Sequence, residues 1–387
     1  MSFITDLIIY AHDGRGLGHV SRSVAIGLAV RRLFPEMSVL LLTGSRSVAE
    51  LVGKGDLDWI KLPAYRTVVS NGISAGAMGP SNIDDQVLGE MRARSIRDIL
   101  EIYRPKVFLA DHTPQGKHSE LLPSHDVSPE TTRVLGVRAV VGDVDKVWSD
   151  SSAEVFRKSY SNILWYGDSS VTGRGEIAAL SRCYGASPHE TGYVSRLSEI
   201  DRIQPLCISD KPLAGVISVP WSGSGTLNML GKLGEVLKRI GPEYGLWKIY
   251  TDLYKPEAAE IESLFSGVEH VRLVQLGTGF LDDLSRSRAA VIYGGYNSLT
   301  DVMVSRVPSV VLLRGMKDGE QEQHARLLAR SSSFVSEVFP DAGVGADDLE
   351  QALRTCLEQR NGTDSVNLDG AANAARFLAD LVGEAAC

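Results

Sequence analysis

The chain has 387 residues, of which 43% are hydrophobic and 23% are charged, as is ordinary for a soluble globular protein. At roughly 150 residues per domain, this length predicts two or three domains with their own apolar cores and excludes global disorder. The formal charge is −8 and no long basic run occurs, so a nucleic-acid-coating protein is excluded and we expect no nucleic-acid partner.

The cysteines and the apolar runs bear on compartment and membrane contact. The four cysteines are far apart, so they predict neither a disulfide framework nor a zinc cluster, and the histidines form no H-x-x-x-H pattern. We therefore predict no structural metal. No apolar run approaches the ~18 residues of a membrane helix, and no basic leader is evident at the N-terminus. We expect a cytoplasmic protein with at most peripheral membrane contact; the sequence does not indicate its oligomeric state.

In the first half of the chain, short apolar runs alternate with amphipathic stretches. The predicted strands are Leu7–Ala11, Ser38–Thr43, Lys106–Asp111, Thr132–Val137 and Asn162–Tyr166, with a helix from about Ser21 to Phe34 after the first of them. Continuous apolar runs of this length are typical of strands buried on both faces of a parallel sheet. The Gly-, Ser- and Ala-rich segment 67–82 is predicted to be a mobile loop.

After an irregular stretch over residues 195–212, the alternation begins again. The strands predicted there are Ala214–Val219, Trp247–Thr251, His270–Gln275, Ala289–Tyr293 and Ser309–Leu313, and a last helix is predicted from about Ala371 to Ala385. The pattern predicts an α/β fold of two Rossmann-like, doubly wound lobes that face a central cleft. We place the domains at 1–200 and 201–370, followed by a C-terminal helix at 371–387. In such sheets ligands bind outside the carboxyl ends of the strands, so the loops that leave those ends carry the candidate site.

The first of these loops is Asp13-Gly14-Arg15-Gly16-Leu17-Gly18-His19. Its spacing departs from the G-x-G-x-x-G of dinucleotide-binding proteins, and the second strand ends in Thr43-Gly44 without an acid for a ribose, which argues against a nicotinamide cofactor. His19, at a helix start, is a candidate general base. A helix-capping role is an equally good interpretation of its position.

Two loops of the second half are candidate phosphate sites. Residues 221–226, with Ser222, Gly223, Ser224, Gly225 and Thr226, place small side chains before a helix, where free N–H groups favour an anion. This is not a Walker A loop, because a leucine stands where magnesium needs Ser or Thr, and a plain turn is the alternative.

The segment 293–301 runs from a strand into Gly294 and Gly295 and then into a helix that carries Asp301. Asp301 is predicted to accept hydrogen bonds from a ribose diol. The alternative is that it only complements the helix dipole, which is worth about 0.3–1 kcal/mol.

Two further loops carry polar side chains at strand ends. In residues 314–325 we expect Glu320 and Gln321 to contact sugar hydroxyls, whereas Glu322 and Gln323 fit a solvated helix start. In residues 109–117, Asp111 and its neighbour His112 end a strand and are placed to supply or orient a base, although a structural turn is as good an interpretation.

Together these segments resemble the GT-B glycosyltransferases, in particular the MurG-like branch, over nearly the whole chain. Residues 16–22, G-L-G-H-V-S-R, are similar to the G-x-G-H-x-x-R opening of that branch, and residues 222–228, S-G-S-G-T-L-N, look like a shortened form of its G-G-S-x-G-A-x-x-L-N loop. Residues 294–301, G-G-Y-N-S-L-T-D, resemble G-G-Y-N-T-x-x-E, and residues 320–325, E-Q-E-Q-H-A, resemble E-Q-x-x-R-A. Four matches in the family's order make the resemblance specific.

The resemblance implies transfer of a hexosyl or N-acetylhexosaminyl group from a nucleotide-sugar, with UDP as the expected nucleotide, to an acceptor hydroxyl. Because no apolar-plus-basic surface stretch is evident in the sequence, we expect the acceptor to be a soluble small molecule. The resemblance also implies a donor domain over 201–370, an acceptor-side domain over 1–200, inversion at the anomeric carbon, and neither cofactor nor metal. The general base is His19, with Asp13 and Asp111 in reserve. Asp301 stands where the family usually has Glu, and His324 where relatives have Arg or Asn. The implied donor-binding residues are Gly18, Ser222, Gly223, Ser224, Gly225, Thr226, Gly294, Gly295, Asn297, Ser298, Asp301, Glu320 and Gln321.

Three other functions remain open from the sequence. The opening G-L-G-H-V-S-R is also similar to a nucleotide-sugar hydrolase of pseudaminic acid synthesis, which uses water as acceptor. Non-hydrolysing sugar-nucleotide epimerases share the two-lobe fold, although their signature residues are not apparent here. A non-catalytic, nucleotide-binding regulatory protein is the alternative from another class. The loops 65–82 and 113–128, which we expect to shape the acceptor site, carry no motif that identifies the acceptor.

Overall fold

The computed structural model describes residues 4–12, 16–70, 73–77, 79–141, 148–205, 212–220, 224–277, 279–315, 319–359, 362 and 364–385. Contacts divide the chain into two compact units. The first comprises Met1–Ile203 together with Asn367–Cys387, and the second comprises Gln204–Val366.

The first unit is built on a parallel sheet of order β3-β2-β1-β6-β7-β8-β9, with a separate antiparallel pair β4-β5. Its strands are β1 Leu7–Tyr10, β2 Val39–Thr43, β3 Asp58–Lys61, β4 Arg66–Ser70, β5 Ile73–Ala77, β6 Val107–Asp111, β7 Thr132–Arg138, β8 Asn162–Tyr166 and β9 His189–Glu190. Its helices are α1 Gly18–Leu33, α2 Val48–Val52, α3 Asp85–Tyr103, α4 Asp150–Ser159, α5 Ser169–Thr172, α6 Gly175–Tyr184, α7 Arg196–Ile203 and α14 Gly370–Glu384. The five strands predicted in this half are all present, because each is an apolar run that the sheet buries on both faces.

The second unit is a parallel sheet of order β12-β11-β10-β13-β14-β15. Its strands are β10 Leu213–Val219, β11 Leu246–Thr251, β12 Val271–Gln275, β13 Ser287–Tyr293, β14 Ser309–Leu313 and β15 Val335–Pro340. Its helices are α8 Ser224–Ile240, α9 Ala258–Leu264, α10 Gly279–Ser285, α11 Tyr296–Val304, α12 Glu320–Ser331 and α13 Ala346–Glu358. Two parallel α/β units of this kind confirm the predicted pair of Rossmann-like lobes.

The C-terminal helix differs from its prediction as a separate region. Helix α14 belongs to the first unit and packs on α1 through a face of small residues that includes Ala371 and Ala375. The chain returns to this unit just before the helix, where the Tyr193 N–H donates to the Asn367 carbonyl at 2.7 Å and the Asn373 side chain donates to the Thr191 carbonyl at 2.8 Å. Short side chains permit close helix contact, and the backbone bonds fix the approach.

The segment 67–82, predicted as a loop, contains most of the β4-β5 pair. Its backbone pairs in antiparallel register from Arg66 with Ala77 to Ser70 with Ile73. The β-branched run Thr67-Val68-Val69 favours a strand and was outweighed in the sequence by the surrounding Gly and Ser. The segment predicted as a mobile loop therefore contains two paired strands that the sequence did not predict.

Strand order places one switch point in each sheet. Strand β1 lies between β2 and β6, and β10 lies between β11 and β13, so successive connections leave on opposite sides at these strands. Switch points create the crevices in which doubly wound sheets bind ligands. In the described part of the chain, no helix is both long and apolar enough to cross a bilayer.

Candidate functional site

The switch point of the first unit brings His19 and Asp111 together. His19 is the second residue of α1, which follows the loop after β1, and Asp111 is the last residue of β6. Because β1 and β6 pair in parallel up to Tyr10 and Ala110, the two chain segments emerge side by side. The His19 Nδ1 atom lies 2.5 Å from Asp111 Oδ2, with the Asp111 side chain 2% exposed and the His19 side chain 17% exposed.

We assign the tautomer of His19 from the shorter of its two Nδ1 contacts, the one with Asp111. An ionised carboxylate only accepts hydrogen bonds, so Nδ1 carries the proton and donates it to Asp111. The lone pair of the neutral ring then lies on Nε2. Arg22, one turn along α1, places Nη2 3.5 Å from each carboxylate oxygen and 3.1 Å from His19 Nδ1. The arrangement is that of an oriented base, with a carboxylate that holds the ring and stabilises the protonated form.

The surroundings keep His19 uncharged in the absence of ligand. Burial lowers the pKa of His19 well below its usual value, and the positive charges of Arg22, Arg138 and Lys117 lower this pKa further. A neutral imidazole is the form that accepts a proton, so the low pKa keeps the base form populated at neutral pH.

Two further histidines contact His19. His12 lies two residues beyond β1 and His112 directly follows Asp111; the ring centroids are 5.1 Å apart for His12 and His19, 5.0 Å for His12 and His112, and 4.9 Å for His19 and His112. We call these three residues the histidine trio. Among the described residues, no group of three or more His, Cys, Asp or Glu side chains has an arrangement that can hold a metal ion.

A buried ion pair lies beside the end of β1. Arg92 and Glu120 are both fully buried, with Arg92 Nε 2.6 Å from Glu120 Oε2 and Arg92 Nη2 2.8 Å from Oε1. The Tyr10 and Tyr65 hydroxyl groups also donate to this carboxylate. Every oxygen of the carboxylate therefore has charge-assisted partners, and the network joins α3, β1 and the loop 113–128.

In the second unit, the candidate donor residues lie beyond the carboxyl ends of the strands. Helices α8, α11 and α12 begin just after β10, β13 and β14, which are consecutive neighbours in the sheet. Their N-termini therefore lie beyond the carboxyl ends of adjacent parallel strands. The rings of Tyr296 at the start of α11 and His324 in α12 are 5.8 Å apart and tilted by 32°, which joins the two helices.

The two neighbouring glycines at α11 have different roles. A Cβ on Gly294 would lie 2.9 Å from Leu313 Cδ2 and 3.3 Å from Val311 Cγ1, so this residue permits close packing on β14. Gly295 is the N-cap of α11 with φ −75° and ψ 145°, and a Cβ there would meet nothing within 4 Å. Gly295 thus leaves open space in front of the helix N-terminus, as an approaching anion requires.

The side chains of α11 lie in two positions along the helix. Asn297 and Ser298 are half-buried in the first turn, and Asp301 is half-buried in the second. The first turn of α11 contains no acid, and the helix-dipole effect falls off within that turn. The structure therefore does not support the interpretation of Asp301 as a dipole-compensating residue.

Helix α12 separates the residues of its predicted motif. Glu320, its first residue, is buried with 8% exposure and Gln321 is half-buried. Glu322 and Gln323 are exposed, and Glu322 forms an ion pair with Arg326 at 2.9 Å, which fits the solvated helix start predicted for them.

For the remaining candidate residues the structure gives at most a position and an exposure. Asp13, Ser222 and Gly223 lie outside the described residues. Ser224 begins α8 and Gly225 follows it on the exposed side, whereas Thr226 is 7% exposed. Gly18 is the first residue of α1.

His112 was predicted from the sequence to supply or orient a base together with Asp111, whereas His12 was not predicted. Both follow strands that are adjacent in space, although these strands begin 100 positions apart in the chain. In the sequence, each of these histidines directly follows the end of a predicted strand. That the two strand ends are neighbours is known only from the pairing of β1 with β6.

No family model matches the chain, and no curated protein matches it by sequence. Several solved structures are nevertheless similar to it in fold. MurG of Acinetobacter baumannii is similar with a TM-score of 0.53 and 13% identity, covering 98% of this chain and 99% of MurG. Arabidopsis thaliana UGT89C1 complexed with UDP-L-rhamnose has a TM-score of 0.61 and 10% identity over 100% of both chains. The UDP-GlcNAc 2-epimerase of Methanocaldococcus jannaschii has a TM-score of 0.61 and 11% identity over 97% of this chain and 100% of that one. The chain therefore has the GT-B fold.

Proposed function

We propose that the protein is a glycosyltransferase that moves a sugar from a nucleotide-sugar, with UDP as the nucleotide, to an acceptor hydroxyl. The observation that carries the proposal is the His19–Asp111 pair at 2.5 Å, which leaves the Nε2 lone pair of a neutral imidazole as a base. The GT-B fold supports it, because the similar structures include glycosyltransferases. Fold likeness supports the class of substrate, and the base supplies the chemical group that a hydroxyl nucleophile needs.

In the proposed reaction, the acceptor oxygen bonds to the anomeric carbon as the bond from that carbon to the diphosphate breaks. The acceptor proton passes to His19 Nε2, and the electron pair of the broken bond leaves with the diphosphate. Asp111 stabilises the imidazolium that forms. A base of this kind typically contributes on the order of 10²–10⁴-fold to the rate.

The donor is assigned mainly to the second unit, with Gly18 as the one proposed donor residue of the first unit. The N-termini of α8 and α11, with Gly225, Thr226, Gly295, Asn297 and Ser298, are proposed to stabilise the diphosphate by fixed dipoles and free N–H groups, in the absence of a resident metal. Gly294 supports this turn by its close packing.

Recognition of the remaining parts of the donor is proposed for two further helical positions. Asp301 would hold the ribose diol, and Glu320 with Gln321 would hold the donor sugar. Gly18, Ser222, Gly223 and Ser224 complete the proposed donor set, with Asp13 as a reserve base.

Product analysis tests the reaction class. The wild-type chain and His19→Ala are each incubated with UDP-sugars, with and without a mixture of hydroxyl acceptors, and followed by mass spectrometry. A transferase produces a glycosylated acceptor and releases UDP in proportion. Release of UDP and free sugar regardless of acceptor would instead identify a hydrolase in which water takes the acceptor's place.

A sugar-nucleotide epimerase is the second candidate, because UDP-GlcNAc 2-epimerases are among the structures of the same fold. The same incubation distinguishes it. An epimerase would convert UDP-GlcNAc to a UDP-sugar of equal mass that separates by chromatography, without any acceptor. That outcome would contradict the transferase proposal.

A further inference from the structure

The histidine trio contains more histidines than a single general base needs. Of the three histidines, His19 is the one that pairs with Asp111 among the described residues, yet the rings of His12 and His112 lie 5.1 Å and 4.9 Å from its ring. The three residues come from three different segments: the end of β1, the start of α1 and the end of β6. Their meeting is thus a property of the tertiary fold and not of a local sequence pattern.

The backbone of His112 is held in a conformation that side chains disfavour. Its φ is +83°, in the left-handed region where a Cβ is crowded. Its N–H donates to the Gly136 carbonyl at 2.8 Å, which anchors the turn to the neighbouring strand β7. Backbone strain of this kind occurs preferentially where a side chain must be presented at a functional site.

His12 carries a buried polar atom that the described residues leave without a hydrogen-bond partner. This atom is Nδ1. An unpaired N–H is expensive to bury, so the proton of neutral His12 is assigned to Nε2, which makes Nε2 a donor. Buried polar atoms without partners are rare, and a missing ligand is one physical reason for them.

The trio is uncharged at neutral pH. Burial is the largest cause that lowers the pKa of each of its members, and a charge on His19 further lowers the pKa of His12 and of His112. The charged groups that act on the trio are Asp111, Arg22, Lys117, Arg138 and Arg92. A neutral imidazole offers one donor and one acceptor, which matches a hydroxyl group, and the nearby cations Arg22 and Arg92 are already matched by Asp111 and Glu120.

We propose that the histidine trio is the acceptor-binding subsite, and that its ligand is an uncharged molecule with two adjacent hydroxyl groups, such as a sugar or polyol. The inference rests on the proposed transferase function and names the acceptor class for it. One hydroxyl lies at His19 Nε2 and is the nucleophile. The neighbouring hydroxyl bonds to His12 and His112, which act as acceptor-specificity residues and take no part in the proton transfer.

Matched small probes test the ligand class on the full chain. The imidazole signals of histidine-labelled protein are followed by NMR during titration with cis-1,2-cyclohexanediol, cyclohexanol and cyclohexanecarboxylate. We expect the diol to shift the signals of His12 and His112 and to bind roughly tenfold more tightly than the single alcohol, the ratio that one hydrogen bond provides. Tighter binding of the carboxylate, or no shift of the trio by the diol at its solubility limit, would overturn the proposal.

Variants test the residues. His112→Asn keeps a residue type that tolerates positive φ, so the fold is retained while the side chain becomes shorter. We expect this variant and His12→Phe each to weaken diol binding roughly tenfold. The control is His189→Phe, because His189 is exposed on the edge strand β9 and should not affect binding. Unchanged diol binding in folded His112→Asn would overturn the subsite.

The melting temperature with UDP is measured on the same samples, so that the two hypotheses fail separately. A UDP-induced shift without a diol response contradicts the acceptor subsite alone. The absence of a shift with UDP contradicts the donor part of the proposed function, whatever the diol does.

Discussion

At the scale of single residues, the proposed proton transfer depends most on the lone pair of His19 Nε2. We predict that His19→Ala lowers kcat by about 10²–10⁴-fold, because the acceptor hydroxyl loses its base. Nucleotide affinity should remain near the wild-type value, since the nucleotide is assigned mainly to the other unit. Steady-state kinetics and nucleotide titration measure the two quantities. Turnover at the wild-type rate in this variant would remove His19 from the mechanism.

The lowered pKa of His19 has a consequence for the pH dependence of activity. Burial depresses this pKa below the usual 6.5, so the base form persists as the pH falls through 6.5 and is lost only below it. We predict a kcat/KM profile that is flat from neutral pH to about 6.5 and falls in more acidic buffer. A profile with its acidic midpoint above 6.5 would contradict a buried neutral base.

The same direction of shift applies to stability. Burial lowers the pKa of His125 to about 4, so the unfolded chain binds a proton at this residue that the folded chain releases. The free energy of unfolding therefore has its full value with respect to His125 above about pH 6.5, and it decreases progressively as the pH falls towards 4. His125→Gln should therefore reduce the decline of the free energy of unfolding over this interval, as measured by denaturant titration at several pH values.

The Arg92–Glu120 pair allows a prediction about stability that is separate from catalysis. Glu120→Gln leaves the fully buried Arg92 without its counter-charge, and we expect a loss of about 3–5 kcal/mol in the free energy of unfolding. The matched control is Glu322→Gln, which breaks the exposed pair with Arg326 and should change stability by less than about 0.5 kcal/mol. Equal effects in the two variants would mean that Glu120 is not the centre of the network.

At the scale of elements, the start of α11 offers two glycines with opposite expected behaviour. Gly294→Ala brings a methyl group to 2.9 Å from Leu313, so we expect a loss of roughly 1–3 kcal/mol in stability. Gly295→Ala meets open space at an ordinary backbone angle, so stability should be nearly unchanged while nucleotide affinity falls. Thermal melting with and without UDP measures both. Loss of stability in Gly295→Ala with unchanged UDP affinity would contradict the phosphate role.

The elements that could be predicted from sequence are those whose burial is uniform. Strands such as β6 and β13 are continuous apolar runs, and a strand buried on both faces leaves this pattern whatever its neighbours. Strand β15 was missed because its residues Val335–Pro340 mix polar and apolar side chains at the edge of the sheet, where one side lacks a neighbouring strand. The β4-β5 pair was missed because its small residues are also those of loops.

Part of the candidate site could be predicted because some of its residues lie at junctions between a strand and a helix. His19, Asp111 and the residues around Gly295 all lie where a strand ends and a helix begins, and this position can be inferred from one chain segment at a time. The contacts of His12 and His112 depend on which strands pair, and β1 pairs with β6 across nearly a hundred intervening residues. Hydrophobic periodicity does not specify such pairing.

At the scale of the whole molecule, the chain has two parallel α/β units, each with a switch point at which polar residues collect. The first unit contains the proposed base and the histidine trio. The second unit places the N-termini of α8, α11 and α12 beyond the carboxyl ends of three neighbouring strands. The proposed function therefore assigns acceptor activation to one unit and donor binding to the other. The assignment to the second unit can be tested without knowing the acceptor.

The measurement that tests this most directly is a thermal-shift screen with nucleoside diphosphates and nucleotide-sugars, with Asp301→Ala and the exposed-site variant Glu322→Gln alongside the wild-type chain. A ligand at about 100 times its dissociation constant adds roughly 2.7 kcal/mol to stability, which a melting curve resolves. We predict stabilisation by UDP and a UDP-sugar that is lost in Asp301→Ala and kept in Glu322→Gln. No stabilisation by any nucleotide, or equal stabilisation in Asp301→Ala, would contradict a donor site in the second unit.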